Sequence, residues 1–197
     1  MSLLVTVGRP GCPVVAEVTR RAAAALGVPA VATCGDGLRG VLAGAVRPPV
    51  VVPVALDGAL PHGRPLGPHP LLAAAQASRL IAAGARPGRA VVMVAPGSHR
   101  PEDQERLVRA AALLAHTWTG PVRLAAQTGP VPRPEELLGR GTAVSPYLLA
   151  PGPDADEVRA TASAAGAPVV ADVLGAHRFL VELVVRRYRA RQHPVAA

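Results

Sequence analysis

The sequence predicts an α/β fold made of two duplicated lobes, each a parallel sheet with flanking helices, with a cleft between the lobes. Three observations predict it. Short β-branched runs alternate with Ala-, Leu- and Arg-rich stretches of helical length, the pattern of parallel strands joined by crossover helices. The same order of segments occurs twice. Val5-Thr6-Val7, a Gly/Pro turn and Val18-Thr19-Arg20-Arg21-Ala22-Ala23-Ala24 are answered by Val92-Met93-Val94, a second such turn and Leu107-Val108-Arg109-Ala110-Ala111-Ala112. Duplication of this kind predicts similar halves that hold a ligand between them. Finally, Pro13, Pro70, Pro101 and Pro134 each open an apolar, helix-length stretch. A proline is favoured there because its missing N–H would have no helical partner in the first turn.

The elements follow in order. Residues 2–7 are apolar, carry no positive charge and stop at Gly8-Arg9-Pro10-Gly11, so they read as a strand and not as a leader. A helix is predicted over 13–26, ending before Gly27, then a strand at 29–33, a helix at 36–45 and a β-branched strand at 49–55. Leu56 to Pro70, rich in Gly and Pro, is a loop, and a helix over 70–84 closes the first copy. Arg86-Pro87-Gly88 is the junction, giving lobes of 1–87 and 88–197. The second copy has strands near 90–95, 122–126, 142–149 and 168–171, and helices near 101–116, 134–139, 153–165 and 175–191. Matching positions drift apart from Val5/Val92 through Pro53/Pro146 to Leu66/Leu174, which places a missing segment late in the first copy.

Composition narrows the partners. Half of the 197 residues are hydrophobic and only 2% are aromatic, so Ala, Val and Leu must build the core. The formal charge is +8, carried by Arg alone, since Lys is absent. Arginine suits a polycarboxylate or phosphate ligand, which it grips in bidentate fashion. The basic end Arg186-Arg187-Tyr188-Arg189-Ala190-Arg191 complements a helix dipole, and with so few rings for base stacking a nucleic-acid partner is disfavoured. Cys12 and Cys34 are too few for a disulfide framework, which favours a reduced, cytoplasmic setting. No apolar run is long enough to span a bilayer, so no membrane partner is expected. Gly-x-Gly-x-x-Gly, Walker, His-Glu-x-x-His and Gly-x-Ser-x-Gly motifs are all missing, so no nucleotide is expected. A homo-oligomer is compatible with the sequence.

Val144-Ser145-Pro146-Tyr147-Leu148-Leu149-Ala150-Pro151-Gly152, Asp154-Ala155-Asp156-Glu157-Val158 and Leu174-Gly175-Ala176-His177 with Val184-Val185-Arg186-Arg187-Tyr188 together resemble the C-terminal half of the sirohydrochlorin chelatase family. Val91 to Ser98 is similar to that family's second-lobe strand and turn, and Leu66-Gly67-Pro68-His69-Pro70-Leu71-Leu72 to its first-lobe turn and helix. The resemblance implies a two-lobed lyase of siroheme or cobalamin formation that places iron or cobalt, as substrate, into a carboxylated tetrapyrrole. The family keeps its metal-handling histidines in His-Gly-Ser-Arg-x-Pro after the first strand and in Gly-x-His after the third. Here Pro10, or Arg9 in the neighbouring register, stands at the first position, and Pro96 stands there in the second copy. Leu60 and Asp154 stand at the Gly-x-His positions. These replacements keep a non-catalytic carrier of tetrapyrrole or metal open as the alternative, together with recruitment to different metal-dependent chemistry.

Metal insertion needs a loose ligand set, a base for the pyrrole protons and cations for the macrocycle's carboxylates. Imidazole serves the first two roles, because its neutral nitrogen binds iron or cobalt and its pKa lies near neutrality. His62 and His99 are therefore the candidate catalytic residues, and Cys12, His62, His99 and Asp154 the candidate metal ligands. Arg64, Arg100 and Ser98 are the candidate substrate contacts. Each has a plainer reading as packing, solvated loop or helix-end charge. His69 and His177 match across the copies, and a turn or capping role explains their symmetry.

Overall fold

The structure is a computed structural model that describes residues 2–56, 58 and 63–192. In chain order its elements are β1 (Leu4–Val7), α1 (Pro13–Leu26), β2 (Ala30–Thr33), α2 (Gly35–Ala43), β3 (Val50–Pro53), α3 (Pro70–Ala82), β4 (Val91–Gly97), α4 (Pro101–Trp118), β5 (Val122–Thr128), α5 (Pro134–Leu137), β6 (Ala143–Pro146), α6 (Pro153–Ala164), β7 (Val169–Val170) and α7 (Arg178–Gln192). The α/β class and the two parallel sheets are as the sequence predicts.

The first unit holds a three-stranded sheet in the order β2-β1-β3, all parallel. Alternation along β1 serves two faces. Val5 and Val7 pack with Leu38 of α2, while the Thr6 hydroxyl hydrogen-bonds Thr19 of α1. Thr19 in turn donates to the Val15 carbonyl at 2.6 Å, so this buried polar pair is satisfied and fixes α1 on the strand.

The second unit holds four parallel strands in the order β5-β4-β6-β7. Val92, Val94, Ala125 and Val144 form one core face with Ala155, Val158 and Ala162 of α6. Helices α3 and α4 pack on each other, α3 also against β6 and α4 against β4. There Gln76, on α3, donates from Nε2 to the Ser145 hydroxyl of β6 at 2.9 Å, and both side chains are buried.

The compact units are not the consecutive halves 1–87 and 88–197. One comprises Met1–Leu66 with Ala176–Ala197, and the other Gly67–Gly175. Each half of the chain gives its last helix to the other unit. Helix α7 buries Leu180, Leu183, Val184 and Tyr188, packs on α1 and β3, and its Tyr188 hydroxyl donates to the Ser2 carbonyl at 2.5 Å. Helix α3 buries Leu72, Ala73 and Leu80 in the second unit. Burial decides the exchange: contiguity in sequence predicts neighbours only while the apolar face of a helix finds its sheet nearby. Among the described residues no helix is long and apolar enough to cross a membrane.

Candidate functional site

The winding of each sheet locates its site. From β1 the chain crosses to β2 on one side while β3 lies on the other, and β4 stands likewise between β5 and β6. Ligands of open parallel sheets sit outside the carboxyl ends of strands at such a reversal. In the first unit the reversal lies between β1 and β3, where Val7 is paired with Pro53, so the turn over 8–12 borders it. In the second it lies between β4 and β6, with Val94 beside Pro146, so the turn over 97–100 and the stretch from Tyr147 to Asp154 border it.

The turn after β4 is tightly built. Gly97 has φ 84°, and a Cβ there would lie 2.0 Å from the Thr128 carbonyl oxygen, so only glycine fits. Thr128 fastens the same turn by donating from Oγ1 to the Pro96 carbonyl at 3.0 Å. Ser98 donates to the carboxylate of Asp103 at 3.1 Å and accepts the Arg100 N–H at 3.1 Å, while Gln104 donates to the Ser98 carbonyl. The Arg100 guanidinium lies 3.6 Å from Glu102 and 4.0 Å from the buried Asp103. Ser98 thus spends its hydroxyl on the first turn of α4, and Arg100 reaches solvent with its charge partly answered. His99 between them is exposed.

Asp154 stands in the first turn of α6, after Gly152 and Pro153, and Gln127 of β5 donates to its carbonyl at 3.5 Å. Ser98, His99, Arg100 and Asp154 therefore share the carboxyl edge of the second sheet. Cys12 belongs to the first unit, where it is the N-cap of α1, half-buried, with a free thiol that makes no capping hydrogen bond. Cys34 caps α2 in the same way, directly after β2, which pairs with β1 at Val7 and Thr33. Sequence reasoning left Cys34 out of the candidate set. The signal available was its place immediately after a strand. His62 lies outside the described residues; Arg64, after it, is exposed. Among the described residues no group of three or more His, Cys, Asp or Glu could hold a metal ion.

The paired histidines perform the capping role. His69 accepts the Leu71 N–H at 3.1 Å through Nδ1, and His177 accepts the Phe179 N–H at 3.3 Å in the same manner. A neutral imidazole that accepts at Nδ1 carries its proton on Nε2, so neither nitrogen offers a lone pair for a metal. The marked pKa shifts fall on α1 and α7. Hydrogen bonds from Arg20 and Arg21 hold Glu17 down at about 2, and burial pushes Tyr188 up.

The architecture matches solved structures over nearly its whole length. SirB from Bacillus subtilis with Fe3+ superposes with a TM-score of 0.78 at 20% identity, covering 96% of this chain and 95% of that one. The sirohydrochlorin chelatase SirB from Bacillus subtilis subspecies spizizenii in complex with cobalt gives 0.73 at 19% identity, covering 98% and 97%. The fold is that of the chelatases. DR2241 from Deinococcus radiodurans, a multi-domain protein with structural similarity to chelatases, gives 0.71 at 20% identity, and this chain spans 55% of its length. No protein-family profile and no curated protein matches the chain.

Pro10 lies in the turn after β1 and Pro96 at the end of β4, and proline has no side-chain donor atom. The polar groups at the two edges include an imidazole, a carboxylate and a guanidinium on the second sheet, and two thiols and the Arg9 guanidinium on the first. Their chemistry allows metal ligation, proton transfer and anion contact.

Proposed function

We propose that this chelatase-like protein inserts iron or cobalt into a carboxylated tetrapyrrole of the sirohydrochlorin type. The observation that carries the reading is the end-to-end likeness to structures of SirB determined with Fe3+ and with cobalt. His62 and His99 act as bases for the pyrrole protons and as ligands that hold the incoming ion, because a neutral imidazole can do both near neutral pH. Asp154, on the same sheet edge as His99, is a further donor for that ion. Arg100 and Arg64 meet the ligand's carboxylates, and Ser98 sets the turn that carries His99 and Arg100.

An optical titration tests this. Purified protein is mixed with sirohydrochlorin and iron or cobalt, and the absorption change of metallation is followed. Insertion faster than the protein-free control is expected, with His99→Ala and His62→Ala each slowing it about a hundredfold if they serve as bases. A rate equal to the control overturns the enzymatic reading.

The second reading is a non-catalytic carrier of tetrapyrrole or metal. It is favoured by Pro10 and Pro96 at the motif positions and by the commitment of Ser98 to the α4 turn. Stoichiometric macrocycle binding without accelerated metallation is its expected result.

A further inference from the structure

Helix α7 carries Arg187 and Arg191 at i and i+4, so both side chains leave one face. They hold two stretches of the first unit's chain. Arg187 donates to the Pro65 carbonyl at 3.3 Å, and Arg191 donates to the Val51 carbonyl of β3, the edge strand of its sheet. The Arg191 guanidinium also crowds Gly63, at which an added Cβ would meet its Nη2 at 2.5 Å. Arg64 stands between Gly63, which Arg191 crowds, and Pro65, to which Arg187 donates, so the three arginines belong to one corner of the unit.

Three other arginines on the helices of this unit have carboxylate partners: Glu182 pairs with Arg186, and Glu17 with Arg20 and Arg21. Among the described residues Arg64, Arg187 and Arg191 have no carboxylate partner. Burial, followed by the charges of Arg191 and Arg64, depresses the pKa of the half-buried Arg187. Such a grouping of like charges is unfavourable until an anion joins it. Space for one adjoins Arg191, in an open cavity of about 590 Å³ lined also by Gln192, Ser2 and the chain from Pro48 to Val51.

We propose that Arg64, Arg187 and Arg191 form a binding site for a small multivalent oxyanion, a phosphate ester or a polycarboxylate. The site gives Arg64 two partners that sequence alone did not connect to it, and it stands whether or not the protein inserts metal. Guanidinium groups offer forked N–H pairs that match carboxylate and phosphate oxygens, and the ligand relieves the mutual repulsion.

The test is calorimetric titration of the full chain with inorganic pyrophosphate and with citrate, at fixed ionic strength and with neither metal nor tetrapyrrole present. Saturable one-site binding of at least one anion is expected, weakened tenfold or more in Arg64→Gln and in Arg187→Gln. Arg109→Gln, on α4 of the other unit, should bind as the unaltered protein does. A preference for pyrophosphate assigns a phosphate ligand, and a preference for citrate assigns a polycarboxylate. If neither anion binds, or if Arg64→Gln binds both undiminished, the site is refuted. Circular dichroism checks the fold of each variant, and should Arg187→Gln unfold, the exposed Arg64→Gln decides alone.

Discussion

Gly97 and the Gln76–Ser145 pair show how single residues set the geometry of the second unit. Alanine at position 97 combines a left-handed backbone with a steric collision against the Thr128 carbonyl, so Gly97→Ala should destabilise by about 2 kcal/mol or more in urea unfolding. Ser145→Ala removes the acceptor of a buried amide, and an unsatisfied buried polar group costs about 1–3 kcal/mol. Combining it with Gln76→Leu should recover much of that loss, because both polar partners are then gone. A double-mutant cycle by urea denaturation checks this, and additive losses would show that the pair is not coupled. At this scale the sequence was only partly legible. Pro10, Pro96 and the acids of the first helical turns could be read directly, whereas the hydroxyl of Ser98 could not be assigned, because its partner Asp103 depends on how the turn closes. Gln76 and Ser145, far apart in the chain, gave no local signal at all.

Elements were legible wherever their starting chemistry is local. Pro13, Pro70, Pro101 and Pro134 each stand at the first position of the helix they predicted. Helix α7 begins at Arg178 and not at 175, because the Nδ1 atom of His177 takes the Phe179 N–H and leaves Gly175-Ala176-His177 outside as a turn. Strand β6 stops at Pro146 although apolar residues continue to 149, since a β-branched or apolar run does not itself say where pairing ends. The capping account makes a prediction: His69→Ala should cost about 1 kcal/mol, the usual loss of an N-cap acceptor, and leave any metal-dependent absorption unchanged. A lost spectroscopic signal would instead assign that histidine to the metal. Helix α1 supplies a pH dependence. The Glu17 pKa is lowered from 4.5 to about 2, so its contribution is fully present above pH 4.5 and is lost as the pH falls through 2. The melting temperatures of the protein and of Glu17→Gln should therefore differ at neutral pH and converge in acid; a gap that persists at pH 2 would exclude this pairing as its source.

For the whole molecule the decisive feature is the exchange of terminal helices. The repeat in the sequence disclosed two related sheets, but not which sheet each final helix covers, since both helices are apolar and both follow the same Leu-Gly-x-His turn. The exchange predicts where damage to α7 is felt. Leu183→Ala removes a side chain that is 1% exposed and should cost about 2–5 kcal/mol, as other buried leucine truncations do. Hydrogen exchange should then rise in β1 and β3 while β4 and α3 stay protected. Faster exchange confined to β4 would contradict the assignment of α7 to the first unit.

The interlacing also orders events during synthesis. Residues 67–175 emerge as one uninterrupted stretch and can close their sheet while the chain is still growing. The segment before it must wait for the segment after it. Until α7 leaves the ribosome, β3 and the outer face of α1 lack their cover, so the sheet of β1 to β3 matures after the sheet of β4 to β7.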